Sequence, residues 1–113
     1  MTADTAEVDA PTALRFVSEG ADILDVRDPG EWLAGHAPTA QHVPLPVLPG
    51  ARTPSWSRQR VVVLCRSGSR AKTATSLLRL RGVEAFAVSG GMNAWQNAGG
   101  RVVTDAGAPG RVA

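Results

Sequence analysis

The chain has 113 residues, 43% of them apolar and 19% charged, near ordinary globular usage and sized for one core rather than two. No uninterrupted apolar run approaches the ~18–20 residues of a bilayer span, which excludes a membrane protein, and a chain of this length needs neither metal nor disulfide to hold its fold. The net charge of +2 is divided along the sequence: residues 1–50 carry eight acids against Arg15 and Arg27, and residues 51–113 carry ten bases against Glu84 and Asp105.

In chain order, Ala6-Glu7-Val8 is a candidate first strand. Asp9 or Thr12 caps a first helix with Pro11 in its opening turn, and Ala13, Leu14 and Val17 face inward until Gly20 stops it. Ile23-Leu24-Asp25-Val26 is a short buried strand that runs into the turn signal Asp28-Pro29-Gly30. Glu31–Ala34 supplies one helical turn before Gly35, and Ala40–Val43 is a weak strand candidate. Four prolines and a glycine between Pro44 and Pro54 forbid long regular elements and suggest a surface connection. Val61–Leu64 is the clearest strand, a β-branched run of the kind buried on both faces of a parallel sheet. Ala71, Ala74, Leu77, Leu78 and Arg81 recur at helical spacing until Gly82, Ala85–Val88 is the next strand, and Gly90-Gly91 opens a last helix through Met92, Ala94 and Trp95 to Gly99. Alternation of strand and helix indicates an α/β domain over residues 1–104 built on a parallel sheet; residues 105–113, rich in Gly, Ala and Pro, form an expected loose tail.

Cys65 stands where the strongest strand stops, and in open α/β sheets ligands bind outside the carboxyl ends of strands. The short loop Arg66-Ser67-Gly68-Ser69-Arg70 then enters a helix whose unpaired N–H groups and positive dipole end face back toward the sulfur. With Arg66 and Arg70 adding positive charge, the arrangement is expected to bind anions and to favour the thiolate, which is the nucleophile. A lone thiol is often simply a small buried hydrophobe; its place at a strand end before this loop favours the reactive reading. Spread-out bases and 4% aromatics argue against nucleic acid. A single cysteine closes no internal bridge, and Met1–Ala13 has neither a basic start nor an apolar stretch, so a reducing cytoplasm is expected.

Cys65-Arg66-Ser67-Gly68-Ser69-Arg70 resembles the Cys-x-x-Gly-x-Arg active-site loop of the rhodanese (sulfurtransferase) family. Leu24-Asp25-Val26-Arg27 with Glu31-Trp32 behind it, Gly35-His36-Ala37-Pro38-Thr39-Ala40, and Gly90-Gly91-Met92 with Ala94-Trp95 agree with that family in order and spacing, over roughly residues 7–100. The resemblance implies about five mostly parallel strands flanked by helices on both faces, and transfer of a sulfane sulfur through a Cys65 persulfide. The donor would be a small anion such as thiosulfate, the acceptor cyanide, a thiol or a protein, with no metal or organic cofactor. Backbone N–H groups of residues 66–70 would hold the terminal sulfur, and Asp25 and Arg27 would support the loop structurally. A rival is a rhodanese-like module that is non-catalytic or delivers sulfur to a protein partner. Cysteine phosphatases and arsenate reductases, which also wrap an anion, place five residues between cysteine and arginine, whereas four separate Cys65 from Arg70 here. Thioredoxin-like redox chemistry lacks its second cysteine, and a nucleotide P-loop fails because Ala71 precedes Lys72-Thr73.

Ala37 and Thr39 depart from the family's usual Ile and Gly, and Ala71 from its usual Ser. His36 and His42 make a poor metal set, and His36 is expected to bond backbone in a turn. Trp32 and Trp95 are expected in the core, and Trp56 at a pocket entrance.

Overall fold

The computed structural model describes residues 6–52 and 60–113; Trp56 lies outside them. Its elements are β1 (Glu7–Val8), α1 (Ala10–Ser18), β2 (Asp22–Asp25), α2 (Pro29–Ala34), β3 (Gln41–His42), β4 (Arg60–Leu64), α3 (Ser69–Leu80), β5 (Glu84–Val88) and α4 (Gly91–Asn97). The valine run of β4 takes the centre of a five-stranded sheet of order β1-β5-β4-β2-β3, in which every neighbouring pair is parallel. Strand alternation then sorts its side chains between two layers. Val61 and Val63 join Leu24, Ala85 and Ala87 against Ala71, Ala74 and Leu78 of α3, while Val62 and Leu64 face Ala10, Ala13 and Phe16 of α1 and Met92 and Trp95 of α4. Helices therefore cover both faces, and among the described residues none is long and apolar enough to cross a membrane.

Asp9 caps α1, its carboxylate accepting from the Thr12 amide at 2.9 Å. The buried stripe of that helix is Ala10, Ala13 and Phe16, with Leu14 and Val17 only half-buried beside it. The Phe16 ring meets Phe86 edge-on at 5.4 Å and lies under the Arg60 guanidinium at 4.3 Å.

Two expectations change and a third is refined. The connection after β3 runs over the surface as expected, but it is anchored. The Val43 and Leu45 amides donate to Asp25 and Val26, and a 3₁₀ turn at Leu48–Gly50 drops the Leu48 side chain into the α3-side core, 1% exposed. The segment 105–113 is not loose. Val103 bridges His36 and Pro109, Gly110 N–H donates to Val102, Arg111 N–H to Ala34, and Val112 packs on the α1–α4 side. Such close passage requires Gly35, since a Cβ there would lie 2.6 Å from the Arg111 backbone. Trp32 is half-buried rather than in the core, stacked on His36 at 3.5 Å and His42 at 4.7 Å, whereas Trp95 is buried as expected.

Candidate active site

The end of β4 delivers Cys65 to the start of α3, where Gly68 occupies the N-cap position at φ +116° and offers no side chain to the helix's free amides. The cysteine sulfur takes that role. Sγ accepts from the Gly68 N–H at 3.0 Å and from the Ala71 N–H at 3.3 Å, and the residue is 1% exposed. Two inward-pointing amides at a helix dipole's positive end make an anion cradle. Ala71 is one residue beyond the loop positions expected to supply them. Its side chain is fully buried among the α3-side core residues, where the family's usual serine would bring a hydroxyl.

The loop holds this shape because its carbonyls are engaged elsewhere. Met92 N–H donates to the Cys65 carbonyl at 2.7 Å and Asn93 N–H to that of Arg66 at 3.2 Å, so the first turn of α4 draws both oxygens away from the sulfur's donors. Such contact demands a glycine at 91. Its φ is +56°, and a Cβ there would collide with the Cys65 carbonyl and lie 2.6 Å from that of Arg66. Gly90-Gly91 is visible in the sequence as a helix opening; its role as a brace for the cysteine loop comes only from the fold.

The two loop arginines are not equivalent. Arg70 is held by Glu31 of α2 in a fork of 2.8 and 3.0 Å, while Arg66 is exposed and its Nε donates to the Ala113 oxygen at 3.0 Å. Arg70's hydrogen bonds hold the Glu31 carboxyl well below its ordinary 4.5, at about 2, and the Asp28 amide bonded to its Oε1 contributes in the same direction. In return Glu31 raises Arg70, with a smaller contribution from Cys65. Sequence reasoning gave Glu31 no role at the site. The available signal was a Glu three residues after Asp28, the spacing of a helix-capping pair that would fix it at the start of α2. Ser67 and Ser69 are exposed.

Asp25 and Arg27 form a fully buried pair, with Arg27 Nε at 3.0 Å from both carboxylate oxygens and Nη2 at 2.8 Å from Oδ2. Nη2 also donates to the Gly35 carbonyl at 2.7 Å, which ties the end of β2 to the turn after α2. Neither side chain hydrogen-bonds the Cys65 sulfur. His36 Nδ1 lies 2.9 Å from the Trp32 carbonyl, as expected of a turn histidine, and Nε2 is 3.4 Å from Asp105. His42 Nε2 lies 2.7 Å from the Arg27 carbonyl. Ala37 is buried, and Thr39 takes φ +67°.

Residues 10–98 match the rhodanese-like domain family. An uncharacterized protein of Synechocystis sp. is 34% identical over 88 residues, covering 77% of this chain but 49% of that protein, so the chain spans about half the length of this curated relative. Among solved structures, a rhodanese-like domain protein from Staphylococcus aureus superposes with a TM-score of 0.73 at 25% identity, covering 83% of this chain and 94% of that one. A rhodanese-related protein from Thermoplasma volcanium reaches 0.75 at 24% identity, covering 88% and 98%. With Cys65 at the strand end, the amide cradle around it and a family match over most of its length, the chain belongs to the rhodanese-like domain family.

Proposed function

We propose that this domain is a sulfurtransferase that carries sulfane sulfur on Cys65 as a persulfide. The observation that supports it most directly is the pair of amides from Gly68 and Ala71 on the Cys65 sulfur. Donors fixed in a water-poor pocket stabilise an anion without having to reorganise when it forms. In the first half-reaction the Cys65 thiolate attacks the outer sulfur of thiosulfate. A new S–S bond forms, the donor's S–S bond breaks with its electron pair leaving on sulfite, and the charge of the dianion departs with that product. In the second, cyanide or a thiolate attacks the outer sulfur of Cys65-S-S⁻ and returns Cys65 as thiolate, giving thiocyanate or a new persulfide. The loop amides of Arg66, Ser67, Ser69 and Arg70, which do not bond Sγ, are the donors for the outer sulfur. Since this domain has one cysteine, the acceptor is a group outside the domain, either a small thiophile or a protein thiol.

The test is intact mass after incubation with thiosulfate. Wild type should gain about 32 Da, one sulfur atom at the thiolate, and lose it to cyanide as thiocyanate, while Cys65→Ser gains nothing. An unmodified wild type that binds a protein partner tightly would instead establish the non-catalytic module.

A further inference from the structure

The sulfur's cradle is braced on its two sides by unlike contacts. Toward the α4 side, main-chain bonds from Met92 and Asn93 fix the carbonyls of Cys65 and Arg66. Toward the α2 side, among the described residues, the polar connection from α2 to the loop and first turn of α3 is the Glu31–Arg70 fork, joining residues 39 apart in sequence. Glu31 is itself fixed, since its Oε1 also accepts the Asp28 amide at 3.0 Å, and the next residue, Trp32, is stacked on His36 and His42. Arg70 lies between Ser69, the first residue of α3, and Ala71, whose amide reaches the sulfur. Gly68 provides no side-chain cap, so among the described residues this turn is held by the Lys72 N–H bond to the Gly68 carbonyl at 3.2 Å, by the buried Ala71 side chain and, from α2, by the fork on Arg70.

From this geometry we infer that Glu31 is a positioning residue for Cys65: by clasping Arg70 it fixes the first turn of α3 so that the Gly68 and Ala71 amides stay aimed at the sulfur. Arg70 thus acts as the tether of the cradle more than as a free charge beside it. For turnover the inference rests on the sulfur-transfer reading, but its physical content concerns the thiolate alone and is measured without any sulfur donor.

The two roles of Arg70 give opposite predictions for Glu31→Gln. A free-charge role requires the uncompensated guanidinium to favour the thiolate, so Cys65 alkylation by iodoacetamide would reach half its plateau rate at lower pH. The tether role requires the loosened amides to favour it less, so the half-plateau pH rises and the rate at pH 7, taken relative to the plateau, falls about threefold or more. Other charged groups around the pair are Asp28 and Arg27, unchanged in the variant, and the loop's other arginine, Arg66, donates instead to the Ala113 oxygen. Using the plateau separates ionisation from mere exposure of the buried sulfur. Arg70→Gln, which breaks the same fork from the other side, should slow relative alkylation as well, and the double variant should be no slower than Arg70→Gln alone. Backbone amide spectra of the full chain should show the Gly68 and Ala71 resonances moving in Glu31→Gln while β5 resonances stay in place. A half-plateau pH that falls or does not move overturns the inference. Failure of the sulfur-transfer reading shows itself separately, as a wild type that takes up no sulfur while its alkylation profile still responds to Glu31→Gln.

Discussion

Thr39 is a β-branched residue at φ +67°, a region where the side chain crowds the following carbonyl at a cost of about 1–2 kcal/mol. It is exposed, so its side chain has little burial to offset that strain. Replacing it by glycine removes the crowding but frees the unfolded chain, which returns about 0.5–1 kcal/mol. The net expectation is that Thr39→Gly is more stable by about 0.5–1 kcal/mol, or about 2–6 °C in melting temperature for a domain of this size. Thr39→Ala keeps the Cβ and should gain less, and Thr39→Val should gain nothing. Thermal melts by circular dichroism, with urea titrations to obtain free energies, would rank the series. A glycine variant that melts at or below wild type, or a valine variant that melts highest, would show that the backbone at position 39 carries no net strain and that the departure from the family's usual glycine is neutral.

Leu48→Ala should cost about 2–4 kcal/mol, the range for opening a cavity at a buried leucine, measurable by urea denaturation; a loss below about 0.5 kcal/mol would mean that Leu48 does not anchor the 44–52 connection. Asp25→Ala leaves the Arg27 guanidinium buried without its counter-charge and should cost about 3–5 kcal/mol, whereas replacing both residues together by apolar ones of similar volume should cost far less; equal losses would mean that the pair is not coupled. The Glu31 carboxyl is held at about 2 against an ordinary 4.5, so its contribution is fully present above pH ~4.5 and is lost as pH falls through ~2. That gap bounds the effect near 3 kcal/mol, and with Arg70's side chain 32% exposed, screening reduces it to about 1–2 kcal/mol. Urea midpoints between pH 5 and pH 2.5 should therefore fall more steeply for wild type than for Glu31→Gln, and parallel profiles would contradict this.

Elements written in local pattern were legible in the sequence. The valine run gave β4, the Asp9 cap gave the start of α1, and Ala71, Ala74 and Leu78 at helical spacing gave the buried face of α3. Composition misled where it reports only that the backbone is broken. Prolines around Leu48 prevent a long helix or strand, but they say nothing about whether one leucine is drawn inward. Glycines near the C-terminal end suggest looseness, yet Gly110 lies against Gly35 because neither has a Cβ to keep them apart. At the site, Cys65 and the amides of α3 follow from a strand that ends at a helix start. Glu31 could not be found that way, because its pairing with Arg70 depends on α2 being folded back beside α3, a juxtaposition set by the order β4-β2-β3 rather than by any local signal.

The capping deficit of α3 and the chemistry of Cys65 are one physical fact seen from two sides. A helix that starts on glycine leaves its first amides without a side-chain acceptor, and a buried unpaired donor costs about 1–3 kcal/mol. Met92 and Asn93 hold the nearby Cys65 and Arg66 carbonyls, so the acceptor available to Gly68 and Ala71 is the sulfur. A neutral thiol accepts weakly, whereas an anionic sulfur forms charge-assisted bonds about twice as strong as neutral ones. The bonds from Gly68 and Ala71 therefore place the cap of α3 on the sulfur itself, so helix and site share one acceptor.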